Sequence, residues 1–125
     1  MTNANYLIDT NIFIYLFNQR LAEPLPKGIP SCSIITEIEL LSFANLSPQE
    51  EQIITKQLAH IPIFGLTDRI KQKTIFLRRQ YHLKLPDAII VATALVENLL
   101  LLTNDSKLHR IDNLQCKSVS ICHLD

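Results

Sequence analysis

The sequence predicts an α/β fold, a three-layer α/β/α sandwich with a central, mainly parallel sheet of about five strands. Short apolar segments alternate along the chain with segments whose apolar residues recur at helical spacing. The apolar segments are continuous rather than alternating, as in parallel strands that are covered on both faces. With 125 residues, 47% of them hydrophobic, the chain is long enough to bury one core. We therefore expect a single domain over residues 1–125.

The first half of the chain is expected to contain two strands and three helices. In order, the sequence predicts a strand at residues 6–9, a helix at 11–17, a loop at 22–30, a strand at 31–35 and a helix at 36–44. A third helix begins after Ser47, which is suited to the N-cap position. Pro48 then takes the first helical position, and Glu50 completes a capping box.

The second half is expected to contain three further strands. The segments "IPIFGL" (residues 61–66), "LLLLT" (99–103) and a stretch near "SVSIC" (118–122) are the predicted strands. Ile70, Thr74, Leu77 and Tyr81 recur at helical spacing in a basic segment, which predicts an amphipathic helix. A helix at residues 85–98 is apolar on every side and is expected to be buried, and a short helix is expected at 106–111.

Composition excludes several classes of protein. Twelve basic and twelve acidic residues give no electrostatic evidence for nucleic acid or membrane binding. The three cysteines are widely spaced, which argues against a disulfide framework or a structural zinc site, and the two glycines cannot build a phosphate-binding loop. No secretory signal or sufficiently long apolar segment is present, so we expect a cytoplasmic protein without a membrane anchor. The four histidines lack metal-ligand or triad spacing, although His82 and His109 are candidates for phosphate contact.

Carboxylates occur where the predicted strands end. Asp9 and Asp105 each follow an apolar segment, Glu37 and Glu39 follow the second strand, and Asp87 lies in the first turn of the buried helix. Any one of them is explained by helix capping. The carboxyl ends of parallel strands meet at one edge, however, and gathered carboxylates repel one another unless a cation neutralises them. The pattern therefore indicates a Mg²⁺ or Mn²⁺ site and chemistry on phosphates.

Four segments in this order resemble the PIN domain family, and in particular the VapC-like toxins of toxin–antitoxin pairs: "LIDTNIFIYLF", "SIITEIELL", "LPDAIIVATAL" and "LLTND". The resemblance implies a Mg²⁺- or Mn²⁺-dependent endoribonuclease with the catalytic acids Asp9, Glu39, Asp87 and Asp105. It implies that Asp9, Asp87 and Asp105 bind the metal, and that Thr10, Asn11 and Thr103 contact the acids or the substrate. Helical periodicity favours Glu37 as the second acid, whereas the family pattern selects Glu39, so Glu37 remains the alternative.

The resemblance also implies the partners. They are an RNA substrate, a VapB-like antitoxin lying in an apolar groove supplied by residues 12–17 and 40–43, and a second copy of the chain in a homodimer. Bases of the segment 67–84 are candidates for guiding the RNA backbone, namely Arg69, Lys71, Lys73, Arg78, Arg79 and Lys84. Two alternatives remain open: a catalytically silent PIN module that binds RNA or protein, and a phosphoacceptor receiver, although a receiver needs acids that this sequence lacks at strands one and three.

Overall fold

Five short strands form one parallel sheet in the computed structural model, which describes residues 5–122. In chain order they are β1 (Tyr6–Ile8), β2 (Pro30–Ser33), β3 (Ile63–Phe64), β4 (Leu100–Leu102) and β5 (Cys116–Lys117). Their order across the sheet is β3-β2-β1-β4-β5, with Leu7 of β1 opposite Ser31 of β2 and Leu101 of β4. The chain thus proceeds from β1 to one side and returns to build the other, which opens a crevice at the carboxyl ends of β1 and β4.

The strand order confirms the predicted fold class and decides one alternative. A phosphoacceptor receiver has its strands in the order 2-1-3-4-5. Here β1 lies between β2 and β4, and β3 lies at the edge. The receiver interpretation is therefore wrong.

Five helices of the described residues connect the strands: α1 (Thr10–Phe17), α2 (Ile34–Leu41), α3 (Pro48–Leu58), α4 (Asp68–Tyr81) and α5 (Leu85–Val96). The capping box of α3 is confirmed, because Ser47 Oγ accepts the N–H of Glu50 at 3.1 Å and Glu50 Oε1 accepts the N–H of Ser47 at 3.0 Å. The predicted bounds of α2, residues 36–44, were wrong. Ser33 Oγ accepts the N–H of Ile35, which makes Ser33 the N-cap of α2. The helix therefore includes Ile34 and Ile35, which were expected to end the strand.

The last strand was expected near residues 118–122 and lies just before them, at Cys116–Lys117. Asn104 explains where it ends, because its side chain donates to the carbonyl of Val119 at 3.0 Å and accepts the N–H of Val119 at 2.8 Å. The Asn104 side chain therefore takes the backbone hydrogen bonds of Val119 that a neighbouring strand would otherwise make. Ile121 instead forms an isolated antiparallel bridge with Leu21. The short helix predicted at 106–111 is a single 3₁₀ turn, Leu108–Arg110.

Two apolar clusters cover the two faces of the sheet. Successive strand residues point to opposite faces, so Leu7 and Leu101 pack with α4 and α5 on one face, while Ile8 and Leu102 pack with α1, α2 and α3 on the other. The helix α5 is buried from Ala88 through Ala94, as its composition predicted. A membrane crossing would need a longer apolar helix than any found between residues 5 and 122.

Candidate active site

Asp9 is held in place at the junction of β1 and α1. It is the N-cap of α1 and is only 6% exposed. Its Oδ1 accepts the N–H of Thr10 at 2.8 Å, and its Oδ2 accepts the hydroxyl of Thr103 at 2.6 Å. Each carboxylate oxygen therefore has one donor, which fixes the plane of the carboxylate and leaves lone pairs directed elsewhere.

Thr103 joins the ends of the two central strands. Its buried hydroxyl donates to Asp9 and accepts the N–H of Asp105 at 3.1 Å. Asp105 Oδ1 in turn accepts the N–H of Lys107 at 3.0 Å, which closes a tight turn after β4. His109 lies 2.9 Å from the Thr103 carbonyl through its Nε2, so this nitrogen carries the proton that is donated. His109 thus holds the backbone of the loop that carries Asp105.

Glu39 is connected to the same edge through a chain of hydroxyls. Thr10 Oγ1 donates to Glu39 Oε1 at 2.7 Å. A hydroxyl has one proton, so the 3.0 Å contact between Thr10 Oγ1 and Thr36 Oγ1 requires Thr36 to be the donor there. Glu37 lies elsewhere, and its charge acts on the buried Cys32. Burial, together with this charge, raises the pKa of Cys32 to about 12. The geometry places Glu39 rather than Glu37 beside Thr10.

Two of the four acids, Asp9 and Asp87, have pKa values that neighbouring acids help to raise. Burial raises the pKa of Asp9, and the charges of Asp87 and Asp105 raise it further, against the lowering effect of the bonds from Thr103 and Thr10. Burial also raises the pKa of the half-buried Asp87, with further contributions from Asp105 and Glu39. Both shifts mean that the charged carboxylates are unfavourable in this arrangement by themselves.

The chemistry of these acids fits a hard divalent cation. They offer carboxylate oxygens, and such cations prefer oxygen ligands. Between residues 5 and 122 no three Asp, Glu, His or Cys side chains form a set that could hold an ion by themselves. Mg²⁺ does not need such a set, because it is usually bound through one or two carboxylates with waters and substrate phosphates as the other ligands. Asp9, Asp87 and Asp105 are the residues that would supply those carboxylates.

Comparison with known proteins decides the family. The PIN domain family model matches residues 6–114, most of the chain. The chain belongs to the PIN domain family. No curated protein matches it.

Solved structures of similar architecture include toxin–antitoxin assemblies. This PIN domain is 35% identical to a chain of a toxin–antitoxin complex from Klebsiella pneumoniae, with a TM-score of 0.73, covering 87% of this chain and 94% of that one. For VapBC-1 of nontypeable Haemophilus influenzae the identity is 26% and the TM-score 0.72, covering 91% and 97%. For VapBC2 of Rickettsia felis, bound to a promoter DNA fragment, they are 21% and 0.75, covering 93% and 99%.

Of the other residues predicted for the site in this PIN domain, some lie away from the acids and one, Lys84, acts on them. Within the described residues no hydrogen bond joins Asn11 to the acids, and its side chain is exposed in the first turn of α1. Three of the six candidate bases in the basic segment contact other groups: Lys71 pairs with Asp68 at 3.5 Å, Lys73 lies over the ring of Phe76, and Arg78 donates to the carbonyl of Leu83. Lys84 differs, because its charge acts on Asp87 and lowers its pKa.

Two residues near the acids were not anticipated from the sequence. Thr36 is fully buried and donates into the hydroxyl chain that ends at Glu39. Lys107, two residues after Asp105, lowers the pKa of Asp87 through its charge. The sequence signal for Thr36 is its position three residues before Glu39. The signal for Lys107 is its position in the turn after Asp105.

Proposed function

We propose that this PIN domain is a Mg²⁺- or Mn²⁺-dependent endoribonuclease and the toxin of a VapBC-type toxin–antitoxin pair. Members of the PIN family are generally nucleases that depend on divalent metals. The observation that carries the proposal is the buried carboxylate of Asp9, whose pKa is raised by burial and by Asp87 and Asp105 at the point where the strand order reverses. Such a group of like charges is expected where a cation and a phosphodiester meet.

The site residues would have different roles in holding the metal ion and positioning the acids. Asp9 and Asp105 would hold the principal ion, with Asp87 at its side, while Thr103 keeps the first two in register through its two hydrogen bonds. Thr10 orients Glu39 toward the same edge. When bound, the cation would neutralise the carboxylates, activate a water for in-line attack and stabilise the leaving oxygen. Waters and the substrate phosphate would be the other ligands, so cleavage requires an exposed phosphodiester.

An exposed apolar surface supports the antitoxin part of the proposal. Of the predicted groove residues, Ile12, Phe13 and Leu40 are buried and belong to the core. Leu41 and Phe43 are exposed, and Ile38 of α2 and Ile53 of α3 are more than half exposed. We propose that this patch, formed by the four exposed residues, takes an apolar segment of a VapB-like antitoxin. Exposed apolar residues that lie together on a surface are typical of interaction sites.

The homodimer is proposed for another surface. Ile75 and Phe76 of α4 are 42% and 54% exposed. Two exposed apolar residues one after the other are expected to be covered in the working form of the protein. As a toxin acting on RNA, the protein would work in the cytoplasm.

The test is cleavage of a structured RNA pool by the purified protein in Mg²⁺, Mn²⁺ or EDTA. A DNA pool of matching sequence is run alongside, because RNA specificity is part of the proposal. Asp9→Asn and Asp105→Asn are compared with Glu50→Gln, a carboxylate removed from the capping box of α3 at the surface. Circular dichroism confirms that each variant is folded.

The expected result is metal-dependent cutting of RNA that both aspartate variants lose and Glu50→Gln keeps. Cutting that survives in both aspartate variants would place the site elsewhere. Absence of cutting by folded wild-type protein freed of any antitoxin would favour the alternative, a silent PIN module that binds RNA or protein. Equal cutting of DNA would remove the restriction to RNA.

A further inference from the structure

A cavity of about 310 Å³ adjoins the acids on the side of α5. It lies between the turn that connects α4 to α5 and the 3₁₀ turn after β4. Asp87 and Asp105 form part of its wall, so it opens directly onto the carboxylates. Its volume lies at the lower end of the range of small-molecule sites, about 300–1,000 Å³. The space therefore suits one compact ligand that continues from the acids.

The rim of this cavity is basic. Lys84, Lys107 and Arg110 line it, and His82 adds a fourth nitrogen-bearing side chain. All four side chains are exposed. Among residues 5–122 the one ion pair within 4.0 Å joins Lys71 to Asp68, so neither Lys84 nor Lys107 is engaged with a carboxylate. Two lysines near Asp87 are thus available for an anion that reaches the acids.

The floor of the cavity is apolar and holds an aromatic ring in place. Leu108 and Ile111 are buried, and Leu83 and Tyr81 are half-buried. Tyr81 is fixed at its far end, because its hydroxyl oxygen accepts the N–H of Asp112 at 3.2 Å. A held ring with apolar neighbours is a surface on which a nucleobase can stack.

We propose that this cavity is a subsite for one nucleotide of the RNA, the nucleotide next to the phosphodiester at the acids. Lys84 and Lys107 hold its phosphate, and its base lies against Tyr81 and Leu83. The proposal rests on the proposed ribonuclease function and adds a place where this chain selects its substrate. A base inside the cavity must be unstacked and unpaired, so the nucleotide has to come from a loop, a bulge or a single strand.

The test measures RNA binding without cleavage. The probe is a fluorescein-labelled RNA octamer of mixed sequence, and its dissociation constant is read by fluorescence anisotropy in EDTA over a series of salt concentrations. The variant Lys84→Ala/Lys107→Ala is compared with Lys27→Ala/Lys56→Ala, which changes the net charge equally at exposed positions outside the cavity. Thermal unfolding confirms that both variants are folded.

The cavity variant is expected to bind about tenfold more weakly than wild type. The slope of log K against log salt is expected to fall by about 0.7 for each phosphate that the protein no longer neutralises. The control variant is expected to retain the wild-type slope. Equal losses of affinity in the two double variants would mean that RNA is attracted only by overall charge, and would overturn the subsite. No binding by wild type, or no change in the cavity variant, would also overturn it.

Tyr81 gives an independent arm of the experiment. Tyr81→Phe keeps the ring and removes the hydroxyl that holds Asp112, whereas Tyr81→Leu keeps apolar packing and removes the ring. Loss of stacking predicts that Tyr81→Leu binds about five- to tenfold more weakly, while Tyr81→Phe binds as wild type. Equal affinity of the two would exclude stacking. If Tyr81→Leu does not fold, the lysine variants alone decide.

Failure of the subsite and failure of the proposed function are separable. Weaker binding by the cavity variants in a protein that cuts no RNA in Mn²⁺ would keep the subsite and reject the ribonuclease. Metal-dependent cutting with unchanged RNA affinity in the cavity variants would keep the ribonuclease and reject the subsite.

Discussion

At the starts of two helices in this molecule, a carboxylate accepts a backbone N–H. The pKa of one carboxylate is lowered, and that of the other is raised. At α3, Glu50 accepts the N–H of Ser47, and this backbone bond, with the Ser47 hydroxyl, lowers the pKa of the exposed Glu50. At α1, Asp9 accepts the N–H of Thr10 and a hydroxyl besides, yet its pKa is raised. Burial and the charges of Asp87 and Asp105 outweigh the two bonds at Asp9.

The difference shows that the capping position alone does not set the electrostatics of Asp9. A solvated carboxylate at a helix start relieves unpaired N–H groups and stabilises the helix. The same group, buried among like charges, carries an electrostatic cost that only protonation or a cation removes. A capping aspartate with a raised pKa is therefore a better indication of a site than the capping position alone.

After the loss of cleavage expected for the two aspartate variants, the largest expected effect separates Glu39 from Glu37. Glu39 accepts the Thr10 hydroxyl and acts on Asp87, whereas Glu37 acts on Cys32. Glu39→Gln is therefore expected to lower the rate of RNA cleavage about 10- to 100-fold, the range seen when a group supporting a metal site is removed. Glu37→Gln is expected to leave the rate unchanged, and single-turnover cleavage in Mn²⁺ measures both.

Glu50→Gln serves as the control, because it removes an exposed carboxylate at the start of α3 that is not one of the proposed site residues. A loss of cleavage in Glu37→Gln with none in Glu39→Gln would reverse the assignment and return the second acid to the position that periodicity favoured.

A smaller effect concerns stability and the cation. A ligand that binds only the folded state at one hundred times its Kd raises the free energy of unfolding by about 2.7 kcal/mol. Wild type and Glu50→Gln are expected to gain about this much from Mg²⁺ at such an excess, and Asp9→Asn to gain much less. Urea unfolding in Mg²⁺ and in EDTA measures the difference. An equal gain in Asp9→Asn would show that the ion binds away from Asp9.

The fold was predictable where local patterns decide it and less so where distant residues intervene. Buried strands and the capping box of α3 follow from neighbouring residues, and both were predicted correctly. The start of α2 was not, because Ile34 and Ile35 favour a strand until Ser33 caps a helix over them. The end of β5 depends on Asn104, fifteen positions from Val119, and no local pattern contains that contact.

The site, too, was predictable where local patterns decide it and not where distant residues meet. Acids that directly follow apolar strands are visible in the sequence, because strand ends share one edge of a parallel sheet. The pairing of Thr10 with Thr36, and the approach of Lys107 to Asp87, depend on how α1, α2 and α5 pack. Helical periodicity favoured Glu37 as the second acid, whereas the hydrogen bond from Thr10 reaches Glu39, a contact that no periodicity contains.

The last comparison concerns the sign of a pH dependence. A carboxyl whose pKa is raised by folding, such as Asp9, contributes stability below its unfolded-chain pKa, and this is lost as pH rises through the folded pKa. A carboxyl whose pKa is lowered, such as Glu50, contributes stability above its unfolded-chain pKa, lost as pH falls through the folded pKa. The free energy of unfolding of wild type minus that of Asp9→Asn, in EDTA, is therefore expected to fall as pH rises from the unfolded-chain pKa of Asp9 through its raised folded pKa.

Wild type minus Glu50→Gln is expected to rise over the acidic range, and urea unfolding across pH measures both differences. The same sign in the two variants would mean that solvent reaches Asp9 as freely as Glu50. Mg²⁺ adds the decisive contrast, because a bound cation favours the charged carboxylate and inverts the local pKa preference. In Mg²⁺ the Asp9 difference should therefore rise with pH, like that of Glu50, while the Glu50 difference stays as it was in EDTA. The two helix starts would then differ only while the cation is absent.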